Sequence, residues 1–427
     1  MHTRVALGEW NRLTRIMAGL AAVLALAACQ REPAKDGAND TAAPEGSFAA
    51  DVALLQKHAD CVVLASADGQ ARIAVTPAYQ GRVMTSTLDG AGGASQGWLN
   101  HKLIASGEKQ NHINAYGGED RFWLGPEGGQ FSIFFEKGDK FVFKDWQTPA
   151  IIDTEPWEID TQTDTRVSFK KSGALTNYSG TKLSFEIERV VEILGDDHLH
   201  AVIGAEPDES LKFVGYRTNN RLTNTGDAAW TKETGGLSIW ILGMFPPSEK
   251  TTAVLPIVAG DEAELGPPLV VYESFNRIPP ERLKVTDKAV FFKADGQFRS
   301  KVGIGPKRAK AVCGSWDATT QTLTLVKYAP TPAETGATDY VNSQWELQEK
   351  PFGGDVVNSY NDGPVGDTQL GPFYELETSS PAALLQPGKT ISHSSDTYHI
   401  TGAREALDAI AQATLGVALE EIEKALP

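Results

Sequence analysis

The sequence predicts an all-β protein, a sandwich or barrel of antiparallel strands, and three observations carry that reading. Short runs that alternate apolar and polar residues recur along most of the chain. Turn-forming residues punctuate them, with 41 Gly and 23 Pro in 427 residues. No helical period intervenes before the C-terminus, and no repeat of fixed length points to a propeller or solenoid.

Taken in order, residues 72–75 and 82–87 are β-rich runs on either side of Pro77-Ala78-Tyr79-Gln80-Gly81. Residues 131–135 and 141–143 bracket a Gly138 turn and are expected to pair as a hairpin. Residues 167–169 and 183–187 alternate around the turn Asn177-Tyr178-Ser179-Gly180, and further strands are expected at 212–216, 237–242, 252–258, 289–293, 301–304 and 322–326. At the end of the chain Leu407, Ile410 and Ala411 fall at helical spacing. Gly416 interrupts the pattern before Leu419, Ile422 and Leu426 resume it, so two short amphipathic helices are expected to pack on a sheet.

The N-terminus sets the compartment. Arg4, Arg12 and Arg15 precede an apolar run over 16–28 that is short for a bilayer span and ends in small residues, as an export signal does. It closes on Leu26-Ala27-Ala28-Cys29, which looks like a bacterial lipobox with Cys29 as the acylated residue. Gln30 follows where an inner-membrane retention signal would have Asp. The expected organisation is therefore a signal peptide over 1–28, a lipidated Cys29 and flexible tether over 29–50, a β domain over 51–400 and a helical segment over 401–427. The expected location is the outer membrane, facing the periplasm, anchored to the bilayer through Cys29. With Cys29 acylated, Cys61 and Cys313 remain and could pair in an oxidising compartment, or stay as two buried thiols.

Charge excludes one class of partner. Lys and Arg total 39 against 55 Asp and Glu, a formal charge of −16, and no dense basic block is present to track a phosphate backbone. No nucleic acid, no cofactor and no metal are expected, and the chain is expected to be a monomer.

Four segments carry candidate chemistry. Gly93-Ala94-Ser95-Gln96-Gly97 fits the nucleophile-elbow pattern but lacks its strand-to-helix setting, so it reads as a loop. His198-Leu199-His200 would put two imidazoles on one face of a strand, as some metal sites do, with no third ligand nearby; an outer strand facing solvent explains it equally. The stretch from Asn111 to Gln130 includes His112, Glu119, Asp120, Arg121 and Trp123 among paired glycines, which describes a shaped loop. Trp123 can stack on a sugar ring, while Arg121 with Glu119 or Asp120 can hold vicinal hydroxyls; a buried Arg–Asp pair is the structural alternative. Near the end, Asn361 lies in a turn-bearing segment, Glu375 and Glu377 share one strand face, and His393 follows. Inward carboxylates need a reason such as a binding cleft.

These segments together resemble a known superfamily. Val75-Thr76-Pro77 with Gly81-Arg82-Val83, the Gly117-Gly118-Glu119-Asp120-Arg121-Phe122-Trp123 loop with Pro126-Glu127, Arg221-Leu222-Thr223-Asn224-Thr225-Gly226, and Leu376-Glu377-Thr378 leading to Leu385-Gln386-Pro387-Gly388 are similar to the galactose mutarotase-like superfamily, and most similar to its uncharacterised bacterial lipoproteins. The resemblance implies a β-supersandwich that binds carbohydrate, possessing short C-terminal helices here. It implies Glu377 as the general base of an aldose 1-epimerase, taking the proton of the anomeric hydroxyl while a His protonates the ring oxygen. No Asn-His-Ser-Tyr-like segment supplies that His, so the acid falls to His112 or His393, or is missing. A glycan-binding protein without turnover, or a sugar-active enzyme of other chemistry such as a lyase, is the alternative.

Overall fold

The computed structural model describes residues 43–204, 208–329, 336–366 and 368–427. The expected signal peptide, Cys29 and most of the expected tether lie outside them.

The architecture is mostly antiparallel β. A three-stranded sheet of Val62–Ala65, Arg72–Thr76 and Arg82–Thr87 accompanies two larger ones. The ten-stranded sheet runs in the order Leu283–Val285, Ala289–Lys293, Thr251–Pro256, Val312–Asp317, Thr322–Ala329, Thr390–Thr401, Lys212–Asn224, Lys182–Ile193, Arg166–Thr176, Glu158–Gln162. The six-stranded sheet runs Val270–Val271, Ser300–Ile304, Val357–Asn361, Tyr374–Ser379, Ser238–Phe245, Arg121–Gly125. All their pairings are antiparallel.

Alternation explains how the sheets stack. Phe122, Leu124 and Ile241 of the six-stranded sheet meet Phe169, Phe185, Ile187 and Tyr216 of the ten-stranded sheet in one buried cluster. Val302, Tyr374 and Leu376 meet Leu255, Cys313 and Val326 in another. Every second residue of each strand is thus spent on the sandwich interior, and the intervening residues face outward.

Part of the outer face of the ten-stranded sheet is apolar and covered. Val254, Phe291, Trp316, Leu323, Leu325 and Ile400 pack under Leu407, Ile410, Ala411 and Leu415 of the helix Arg404–Leu415 and Leu419 and Ile422 of the helix Leu419–Glu423. Trp316 Nε1 donates to Glu423, which also pairs with Arg404.

The structure corrects three readings of the sequence. Helices are not confined to the C-terminus: Phe48–His58, His101–Ser106, Ala150–Asp153, Asp196–Ile203 and Glu262–Leu265 are also helical. His198 and His200 therefore lie on a helix, with Asp196 and Asp197 in its first turn, where acidic residues complement the dipole. Residues 131–143 do not form a hairpin; they make an irregular segment in which consecutive Phe134 and Phe135 are both buried, which strand alternation would forbid on a one-sided sheet. Of the two alternatives for Cys61 and Cys313, the structure shows free thiols, in different clusters, Cys61 against the helix Phe48–His58 and Cys313 between the sheets. No helix among the described residues is long and apolar enough to cross a membrane.

Candidate functional site

Register across the six-stranded sheet builds the site. Arg121 stands opposite Leu242, Leu242 opposite Glu377, and Glu377 opposite Asn358. Two residues along, Met244, Glu375, Tyr360 and Lys301 form the next row. Trp123 faces Trp240. Because residues two apart share a face, this places Arg121, Trp123, Trp240, Glu375, Glu377, Tyr360 and Lys301 together on the side turned away from the ten-stranded sheet.

Charges on this floor are paired diagonally. Arg121 Nη2 is 2.8 Å from Glu375 Oε1, and Lys301 Nζ is 2.9 Å from Glu377 Oε2, which also accepts from Trp240 Nε1 at 2.9 Å. The Arg121 guanidinium lies 4.2 Å from the Trp123 ring centre and Lys301 Nζ 4.7 Å from that of Trp240, so both cations sit on aromatic faces. Burial alone would lower the Lys301 ammonium, but Glu377 and Glu127 carry it above its ordinary value. Burial raises Glu375 against the opposing pull of Arg121.

Above the floor a pocket encloses about 610 Å³ of empty space, open solvent at its mouth included. Loops complete its walls with Glu127, Phe143, Trp146, Phe275, Arg299, Trp345 and Phe373. The rings form a continuous array: Trp146 stacks on Trp345 at 5.8 Å and on Phe134 at 5.7 Å, and Trp123 meets Trp240 edge-on at 5.6 Å. Burial pushes Glu127 up to about 7, despite the nearby Lys301 charge. Several buried polar atoms here have no hydrogen-bond partner among the described residues: Nε1 of Trp123, Trp146 and Trp345, Nε of Arg121 and Arg299, and Oε1 of Glu377. Unpaired buried polar atoms are costly, and six of them gather in or beneath this one pocket.

The loop into this site needs its glycines. Gly117 and Gly118 have φ of 94° and 114°, and a Cβ on Gly117 would lie 2.1 Å from the Trp98 carbonyl oxygen. This turn sends the chain into the strand Arg121–Gly125.

The structure brings some expected site residues together and separates others. Arg121, Trp123 and Glu375 line the pocket, and Glu377 lies beneath Lys301 and Trp240, fully buried. Glu119 and Asp120 serve the sandwich interior instead. Glu119 Oε2 accepts from Ser86 and from His399 Nε2 at 3.0 Å, while Asp120 pairs with Arg189 at 2.6 Å and accepts from Thr218 at 3.0 Å. His393 also belongs to that side: its Nε2 is 2.9 Å from Thr378 Oγ1, on the opposite strand face from Glu377, and burial lowers its pKa to about 4. His112 sits beside the pocket wall, its Nδ1 donating to the Trp146 carbonyl at 2.6 Å and its ring against Phe143. Asn361 holds the loop at Gly296 and Phe298. Ser95 donates to Asp51, which also takes His101 Nε2 at 2.6 Å; a Ser bonded to a carboxylate lacks the imidazole that a nucleophile elbow needs.

Sequence reading missed Lys301, Arg299, Trp240, Trp146 and Trp345 and gave Glu127 no role. Lys301 carried a signal, being a lone cation inside an otherwise apolar strand of Val302 and Ile304. The Trp residues come from three distant segments that sequence spacing cannot join.

A β-sandwich with an aromatic, ion-paired pocket on the outer face of its smaller sheet is the class of protein defined here. Residues 46–426 match a family of unknown function, DUF6786, and the chain belongs to that family. Among solved structures, it is similar to a protein of Synechocystis sp. PCC 6803 at 14% identity, covering 81% of this chain and 98% of that chain, with a TM-score of 0.47. A galactose mutarotase-like protein from Lactobacillus casei is 9% identical, with 80% and 100% of the chains covered and a TM-score of 0.42. A galactose mutarotase related enzyme from Lactobacillus acidophilus is 8% identical, with 80% and 97% covered and a TM-score of 0.43. No curated protein matches the chain.

Proposed function

We propose that this chain is a lipid-anchored envelope protein whose pocket binds a carbohydrate, on a mutarotase-like sandwich. The observation that carries the reading is the combination of Trp123, Trp146, Trp240 and Trp345 with the Arg121–Glu375 ion pair and Lys301 in one pocket. Flat rings stack on the C–H faces of a sugar, and fixed charged groups hold its hydroxyls by strong, directional hydrogen bonds.

Binding without turnover is the better-supported form. Glu377, the base that the mutarotase resemblance implies, has one oxygen taken by Lys301 and Trp240 and is covered by them. The candidate acid His393 bonds on the other strand face. An enzymatic reading draws on a different residue: Glu127, titrating near 7 at the pocket wall, is suited to proton transfer at neutral pH. Magnetisation-transfer NMR of anomer exchange over pentoses, hexoses and uronic acids separates the two. Binding with no accelerated exchange supports the binder; acceleration that Glu127→Gln abolishes overturns it in favour of an epimerase. Failure of every sugar to bind sinks the carbohydrate reading.

The anchor rests on the basic residues, apolar run and Leu-Ala-Ala-Cys sequence that end at Cys29. Metabolic labelling with palmitate tests it: the parent takes up label and sediments with outer membranes, whereas Cys29→Ala does neither.

A further inference from the structure

The pocket's cations are not all spoken for. Arg121 is neutralised by Glu375 and Lys301 by Glu377, each within 2.9 Å. Arg299 also lines the pocket, its guanidinium 5.1 Å from the Phe275 ring centre, and its side chain makes no hydrogen bond or ion pair with any described residue. A half-buried guanidinium on an aromatic face, beside a cluster of rings, is a ready partner for a planar anion, because its donors form a rigid fork.

We infer that the pocket selects a sugar bearing a carboxylate, a uronic acid or a glycan ending in one, with Arg299 as the group that binds that carboxylate. The inference rests on the carbohydrate reading above and names its substrate class. Charge count favours a carboxylate over a phosphate. Among the described residues that line the pocket, Arg299 is the cation with no bonded carboxylate, and its charge already acts on Glu127 and Asp362, so it can match one added negative charge, whereas a dianion's second charge would face these carboxyl groups and Glu375. Burial also raises Glu127 to about 7, so at pH 7 it carries only part of its negative charge. Neutral hexoses would leave Arg299 desolvated without a partner, an arrangement that costs affinity.

Calorimetric titration of the full-length chain in detergent tests this, using galacturonate and glucuronate, the matching neutral galactose and glucose, and glucose 6-phosphate. The uronates are expected to bind about 10- to 100-fold more tightly than their neutral counterparts, the range for a charge-assisted pair. Arg299→Gln is expected to erase that preference, by weakening uronate binding and relieving the cost that neutral hexoses pay, and Arg299→Lys, which keeps the charge but not the fork, to retain part of it. Thermal unfolding of both variants checks that they fold. Equal affinity for uronate and hexose, unchanged uronate affinity in Arg299→Gln, or tighter binding of the phosphate would each overturn the assignment while the carbohydrate reading stands. Binding of no sugar at all would remove both.

Discussion

On the inner face of the six-stranded sheet, Asp120 is held by Arg189 and Thr218, Glu119 by Ser86 and His399, and Thr378 by His393. On the outer face, one or two residues along the same strands, Arg121, Glu375, Glu377 and Lys301 are paired as tightly. The two sides differ in what lies beyond the pairs. Inside, the other sheet follows directly, and the Asp120–Arg189 pair is closed off by Thr218, Asn220 and the Gly81 carbonyl, although Glu119 Oε1 has no partner among the described residues. Outside lie an open pocket, a free guanidinium and three indole N–H groups without partners. Buried charge alone therefore does not mark a site. What marks it is hydrogen-bonding capacity left over next to space.

The sharpest way to break this comparison is to open the closed side. Asp120→Ala strands Arg189, which has no solvent access, and is expected to destabilise the fold by about 3–5 kcal/mol in chemical denaturation. A loss below about 1 kcal/mol would mean that the inner network is not the closed structure described.

The pH dependence of stability should separate the faces by sign. Glu127 rises from an ordinary 4.5 to about 7, so the folded chain keeps a proton that the unfolded chain has released. Stability is then lost as pH climbs from about 4.5 to 7, by on the order of 3 kcal/mol, and Glu127→Gln should flatten that limb. His393 falls from 6.5 to about 4, so the unfolded chain takes up a proton that the folded one refuses. Its contribution is lost as pH drops from 6.5 towards 4, and His393→Gln should remove that loss. Denaturation midpoints across pH 4–8 read both slopes, and like signs from the two variants would contradict the assignments.

Two smaller effects sharpen the contrast. Trp345, half-buried and stacked on Trp146, is expected to cost sugar binding about 1–2 kcal/mol, near tenfold, when replaced by Ala. Thr378→Val, which removes the hydroxyl facing His393, is expected to cost about 1 kcal/mol of stability and leave sugar affinity untouched. A reversal, with Thr378→Val weakening the ligand and Trp345→Ala neutral, would place the site on the wrong face.

Much of this was legible from residue order and some was not, for reasons that particular residues make plain. The strand grammar of 166–193 is local, and the paired strands Arg166–Thr176 and Lys182–Ile193 follow from it. Arg121 and Trp123 stood out because the stretch is so rich in charge, rings and glycine that it reads as a shaped loop, although the structure puts both on the strand Arg121–Gly125. Glu119 and Asp120 share that loop but face the interior, which depends on register against the strand Ser238–Phe245 and on Arg189, 69 residues away from Asp120. The segment at His198 was misjudged because two alternating His residues outweighed Gly195 and Gly204, which bound the helix. Lys301 was invisible as a partner for Glu377 because their contact spans 76 residues.

The order in which the chain is made gives the C-terminal helices a further meaning. Phe291, Trp316, Leu323 and Ile400 are all translated before Leu407, Ile410, Leu415 and Ile422, the residues that cover them. Until the segment 404–423 has been made, that surface has no cover supplied by its own chain and is open to its neighbours. A chain cut short before Arg404 leaves this apolar face bare, so such products should be drawn into aggregates or degraded.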